Sequence, residues 1–202
     1  MQRGPRSFDP VLLGQRECAA WAAYYRHEWG RLLISSVGLV RTGFEMAWPR
    51  TLLGAWYVLR ANQAWAPYPN NDPDAARGYM RRFYALVVAD GGLELNPAEA
   101  ARREVEWWRV HRMHQREDGL SEADLARTLG ELYAHVYDVE PADVAEAAHH
   151  RVVAMRLSDE WVEAGCDRAD PRLADERREL IASYTALLAA VARPAQPRRS
   201  ST

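Results

Sequence analysis

One stretch of the chain concentrates side chains that could carry out chemistry. Glu104, Trp108 and His111 are spaced by four and three residues, which places them on one face of a helix. The opposite face carries arginines and a glutamate, so we expect the Glu104 face to point inward. A buried carboxylate and imidazole must be paired, hydrogen-bonded or bound to a metal. This face therefore predicts a metal site, a ligand pocket, or an ion pair between Glu104 and an arginine beside a hydrogen-bonded His111.

Two further glutamates extend this set to other predicted helices. Glu45 is in line with Trp56 on a segment that is apolar nearly all round, and Glu28 borders an apolar stripe that contains Tyr25. We expect both carboxylates to lean inward. An intrahelical pair with Arg41, one turn earlier, is the alternative for Glu45.

Glutamates and histidines on separate helices resemble the ligand set of carboxylate-bridged di-iron bundles. The only Glu-x-x-His motif in this chain runs from Glu146 to His149. Because Glu146 falls on the predicted solvent-facing side and no second copy exists, we assign the chain to no family. The metal hypothesis uses iron or manganese, His114 as an optional ligand, and five principal ligands: Glu28, Glu45, Glu104, His111 and His149. A surface pair with His150 is the alternative for His149.

Aromatic residues support a second hypothesis. The chain has eight tryptophans and nine tyrosines, and such rings combine a large apolar surface with a polar tip. We predict that Trp56, Trp108 and Tyr25 line a pocket. Two functions follow: a small metalloprotein or oxidoreductase with a buried, non-haem-iron-like site, or a non-catalytic helical module that binds a small molecule or a second copy of itself. The sequence does not decide whether the protein is an enzyme.

Recurring start signals define the elements that must position these residues. An acidic or amide residue precedes proline at Pro10, Pro73, Pro97, Pro141 and Pro171, which suits the first turn of a helix. Ser121 and Asp124 fit a reciprocal cap. The resulting predicted helices span 10–35, 38–64, 73–90, 97–117, 121–138, 141–165 and 171–192. Because Pro49 interrupts the second segment, we expect either a kink near Trp48 or two shorter helices there.

These elements predict an all-α fold in a single bundle of six or seven helices. We expect the tryptophan-rich segments 38–64 and 97–117 to form its buried central pair. A flexible N-terminus at 1–8 and a disordered, proline- and arginine-rich tail at 193–202 flank the predicted domain, which spans 9–192.

Composition excludes several classes of function. The formal net charge is −2, and all 26 basic residues are arginine, so we expect no nucleic acid or membrane partner and no lysine Schiff base. Apolar stretches are too short to span a bilayer. Two distant cysteines and no secretory signal predict a cytoplasmic protein. No Gly-x-Ser-x-Gly motif supports a hydrolase.

Overall fold

The computed structural model describes residues 4–91, 93–116 and 120–192. The described residues are all-helical, with no strand, and the predicted tail at 193–202 lies outside them. A short 3₁₀ helix at Pro141–Val144 precedes the seventh α-helix. The eight α-helices of this part of the chain are α1 Pro10–Tyr25, α2 Trp29–Phe44, α3 Trp48–Trp65, α4 Pro73–Ala89, α5 Pro97–Arg116, α6 Glu122–Tyr137, α7 Ala145–Glu163 and α8 Arg172–Val191.

Side-chain caps fix the starts of four helices. The Asp9 side chain accepts a hydrogen bond from the amide of Leu12 at 3.0 Å. The Asp72 side chain accepts one from the amide of Ala75 in the first turn of α4. Asn96 accepts from two amides of α5, and Ser121 forms the reciprocal cap of α6. These caps satisfy amide groups that have no partner within the helix. The helix starts predicted there are confirmed.

The first predicted helix is wrong as a single element, and the second is divided into two shorter helices, as one of the two sequence-based alternatives predicted. The segment 10–35 breaks after Tyr25, where His27 adopts a left-handed backbone with φ of 55°. The segment 38–64 lies across a second break, where Glu45 adopts φ of 50°. Neither break contains a glycine, and left-handed backbone is uncommon for other residues. The sequence carried no signal for the turn at His27, whereas Pro49 on the first turn of α3 marked the second interruption, and the count rises to eight.

The helices close into a ring. Each packs against the next along the chain, and α8 returns to pack against α1. Two neighbouring pairs show an antiparallel arrangement. Arg50, near the start of α3, pairs with Asp90 after α4 at 2.7 Å, and Ser183, in the second half of α8, donates to the carbonyl of Ala147 near the start of α7 at 2.8 Å. No helix of the described ring lies at its centre, so the predicted central pair is not found.

A glycine permits the contact that closes the ring. A Cβ atom placed on Gly14 of α1 would lie 2.6 Å from Cγ1 of Ile181 on α8, too close for any side chain. At the far end of α8, the guanidinium of Arg6 donates to the carbonyls of Tyr137 and Val191, and Phe8 is buried. The first and last helices are thus held together by close backbone approach. None of the described helices is both long and apolar enough to cross a membrane.

Candidate functional site

A cavity of about 460 Å³ lies inside the ring. Every one of the eight helices contributes residues to its lining. Four lining residues are exposed, and all belong to the end of the ring where α1, α3 and α5 finish: His27, Tyr68, Gln115 and Arg116. We call this end the mouth. The volume falls in the range of sites that enclose small molecules.

Four tryptophans face this space and are called the cavity tryptophans: Trp21, Trp65, Trp107 and Trp108. Three of them contact one another, because the ring centroids of Trp65 and Trp108 are 6.0 Å apart and those of Trp107 and Trp108 are 6.1 Å apart. Tyrosine and phenylalanine rings from other helices complete the lining. Such rings offer large, rigid apolar surfaces with few rotatable bonds.

A buried ion pair lies deeper in the cavity. Arg151 of α7 donates to both carboxylate oxygens of Glu17 on α1, with Nη1 2.8 Å from Oε2. The Tyr184 hydroxyl donates to the same Oε2 at 2.6 Å. Burial opposes the charge on Arg151, but the carboxylate of Glu17 raises its pKa well above the ordinary value. The pair is therefore neutral as a whole.

Sequence analysis missed this pair. Glu17 lies between Leu13 and Trp21 on the inward face of α1, and Arg151 lies one turn before Met155 on α7. Each places a single charged side chain on an otherwise apolar face, and the two charges have opposite signs. Those two features of the sequence could have predicted the pair.

Glu104 reaches the cavity from α5. The Tyr84 hydroxyl donates to Glu104 Oε2 at 2.6 Å, and Trp107 Nε1 donates to Oε1 at 3.1 Å. Burial raises the pKa of Glu104, and these two hydrogen bonds offset part of that effect. In the described part of the chain no arginine forms an ion pair with it, so the ion pair considered from the sequence is wrong. Each carboxylate oxygen of Glu104 therefore retains an acceptor position that these two hydrogen bonds do not use.

His111 shares the lining with Glu104 but is held by another helix. Its Nε2 atom lies 3.1 Å from Oδ2 of Asp159 on α7, and Gln115 donates to the other oxygen of that carboxylate. His114, the optional ligand of the metal hypothesis, has Nδ1 2.8 Å from the carbonyl of Leu120. Hydrogen bonds to other residues thus orient both imidazoles.

The remaining predicted ligands lie elsewhere. Hydrogen bonds from Arg168 and Arg26 lower the pKa of Glu28, which lies in the turn after α1. Glu45 lies in the turn after α2, where Arg41 donates to its backbone carbonyl at 3.1 Å and not to its carboxylate. His149 is exposed on α7. Over residues 4–91, 93–116 and 120–192, no group of three or more His, Cys, Asp or Glu side chains is placed to hold a metal ion.

Two of the three predicted pocket residues line the cavity and one does not. Trp108 and Tyr25 line the cavity. Trp56 instead lies on the outer surface of α3 with 47% of its area exposed. The prediction placed Trp56 on a central buried helix, whereas α3 belongs to the ring and turns Val58 and Trp65 inward.

Several polar groups of the lining have no protein partner. The hydroxyls of Ser36 and Tyr133 and the Nε atom of Arg151 are buried and make no hydrogen bond within the described residues. Both hydroxyl-bearing residues are at most 9% exposed. Buried polar groups are nearly always hydrogen-bonded because an unmade bond is costly. These three groups are enclosed by other protein atoms, so each is a local cost to the fold and none presents accessible surface to the cavity.

Comparisons with protein-family models, curated proteins and solved structures each return no match to this chain. The interpretation of the cavity therefore depends on its own geometry and chemistry.

Proposed function

We propose that the protein binds a small, largely apolar molecule in the central cavity. One observation carries the proposal: the lining to which all eight helices contribute combines many aromatic rings with a few polar side chains, Glu104 among them. Apolar rings contribute affinity by area, and the few polar groups fix orientation. This is the second of the two functions considered from the sequence.

Glu104 is the polar group best suited to orient the ligand. Tyr84 and Trp107 occupy one acceptor position on each of its oxygens, and an ionised carboxylate has about four such positions. A ligand hydroxyl, amide or amine can therefore donate to it. Because burial raises the pKa of Glu104, its protonated form can also donate to a ligand carbonyl.

The metalloprotein hypothesis is not part of this proposal. Only Glu104 and His111 of its five principal ligands line the cavity, and His111 is engaged by Asp159. Stable sites for iron or manganese use more convergent ligands than these two side chains provide.

The test is binding of a neutral aromatic fluorophore, N-phenyl-1-naphthylamine, to the purified chain. We expect saturable binding at one site per chain, with quenching of tryptophan fluorescence. Trp108→Ala should weaken binding about tenfold or more, since it removes a ring from the lining. Trp56→Ala is the matched control, because Trp56 lies outside the cavity, and it should leave the affinity unchanged.

Two results would contradict the proposal. One is no saturable binding by a chain that melts cooperatively. The other is an equal loss of affinity in both tryptophan variants, which would place the probe on the outer surface. Circular dichroism of each variant establishes that the helices are retained.

A further inference from the structure

Two arginines stand at the mouth of the cavity on the last turn of α5. Arg112 and Arg116 are one helical turn apart, and both belong to the lining. The Arg112 guanidinium lies 4.4 Å from the centroid of the Trp65 ring and donates to the Trp65 carbonyl at 2.9 Å. That of Arg116 lies 4.1 Å from the centroid of the Tyr68 ring. Aromatic rings thus hold both charges at the entrance.

Neither arginine has an acidic partner in the part of the chain that the structure describes. The carboxylate nearby on α7, Asp159, is taken by His111 and Gln115. Burial lowers the pKa of Arg112, and the positive charge of Arg116 lowers it further. Two like charges one turn apart repel each other. The helix C-terminus favours cations in general, but it does not explain why both guanidinium groups line the cavity.

We propose that the ligand carries an anionic group, such as a carboxylate, sulfonate or phosphate, which Arg112 and Arg116 bind at the mouth. This inference rests on the proposed ligand-binding function and names the class of ligand. Guanidinium groups form charge-assisted, often paired hydrogen bonds with such anions. An anion here neutralises two charges that no described side chain neutralises.

The spacing along α5 gives the ligand a length. Glu104 and Arg112 are eight residues apart on one helix, which corresponds to about 12 Å at 1.5 Å per residue. The cavity tryptophans Trp107 and Trp108 lie between them in the sequence. The ligand is therefore an amphiphile: an anionic end at the mouth, an apolar body against the rings, and a far end that reaches Glu104.

Two fluorophores that share one skeleton test the inference. 8-Anilino-1-naphthalenesulfonate carries a sulfonate, whereas N-phenyl-1-naphthylamine is the same ring system without it. Replacing both arginines, Arg112→Gln with Arg116→Gln, should weaken binding of the sulfonate about tenfold or more. The same variant should change the affinity for the neutral probe less than about twofold. Changing both arginines to lysine keeps the charges and should retain most sulfonate binding.

Arg60 provides the matched control. Its guanidinium lies 5.9 Å from the centroid of the exposed Trp56 ring, donates to Gln63, and has no acidic partner among the described residues. Because Arg60 is not part of the cavity lining, Arg60→Gln should leave the binding of both probes unchanged.

The outcomes separate the two proposals. If the neutral probe does not bind wild-type protein, the proposed ligand-binding function is wrong. If it binds, but the double glutamine variant weakens both probes equally or neither, the anionic-ligand inference is wrong while the function stands. Loss of sulfonate binding in Arg60→Gln would also overturn the inference, because it would place the anion on the outer surface.

Discussion

Two buried glutamates on adjacent helices have opposite electrostatic environments. Glu17 on α1 receives two hydrogen bonds from Arg151 and one from Tyr184. Glu176 on α8 is fully buried and forms no ion pair among the described residues, and the Cys18 thiol and the charge of Arg177 offset only part of the effect of burial. Burial raises the pKa of Glu176 to about 8. The comparison shows that the partner, and not the depth of burial, decides whether an interior carboxyl is charged.

Removing the partner of Glu17 should have the largest effect. Arg151→Met leaves the carboxylate buried without a cation, and we expect the free energy of unfolding to fall by about 3–5 kcal/mol. Urea unfolding measures it. The double variant Glu17→Gln with Arg151→Met should recover part of the loss, because it removes the unpaired charge. Equal stability of the single and double variants would contradict the assignment of a buried pair.

The variant Glu176→Gln should change how the free energy of unfolding depends on pH, which tests the difference between Glu17 and Glu176. The folded pKa of Glu176, about 8, exceeds the ordinary value of 4.5. The folded state therefore binds more protons than the unfolded state between these values, and wild-type stability falls as pH rises through this window. Glu176→Gln lacks that term. Its stability relative to wild type should be greater at pH 9 than at pH 5 by about 4 kcal/mol.

Urea unfolding at the two pH values tests the effect of Glu176→Gln. The exposed Glu163, at the end of α7, provides the control variant Glu163→Gln, for which the stability difference from wild type should hardly change with pH. A difference between wild type and Glu176→Gln that is the same at both pH values would rule out a buried neutral acid.

The environment of Glu104 is intermediate between those of Glu17 and Glu176, because Glu104 accepts two hydrogen bonds but has no cationic partner among the described residues. Glu104→Gln keeps one acceptor oxygen, so either Tyr84 or Trp107 loses its acceptor. We expect destabilisation of about 1–2 kcal/mol. Thermal unfolding of Glu104→Gln, with Tyr84→Phe as the partner variant, measures the contribution of each hydrogen bond. A loss as large as that of Arg151→Met would show that Glu104 also has a charged partner.

An exposed ion pair gives the lower limit of the series. Arg156 and Glu160, one turn apart on α7, are 2.7 Å apart with nearly half of each side chain exposed. Arg156→Gln should change the free energy of unfolding by less than about 0.5 kcal/mol, because water screens the pair. A change above about 1 kcal/mol would mean that burial is not what separates the interior pair from surface pairs.

Local signals predicted much of the fold. Asp9, Asp72, Asn96 and Ser121 identified helix starts because a cap depends on residues within one turn. The turn at His27 was missed because no glycine or proline marks it, whereas Pro49, on the first turn of α3, indicated an interruption just after Glu45.

For the candidate site, residue spacing predicted which side chains of one helix point inward, but not which residues of other helices they contact. The inward positions of Glu104 and His111 follow from spacing along α5, and both line the cavity. Their partners Tyr84 and Asp159 are on other helices, so spacing carries no information about them. Glu17 and Arg151 are 134 residues apart in sequence, and only ring closure brings them together.

The ring also has a consequence for the order of folding. Strong packing in the described chain joins consecutive helices, except where α8 meets α1. Seven contacts can form between near neighbours at little cost in loop entropy, and one must wait until the two ends of the chain meet. The cavity has no complete lining before that event. The proposed ligand would therefore find its complete binding surface only after the two ends of the chain have met.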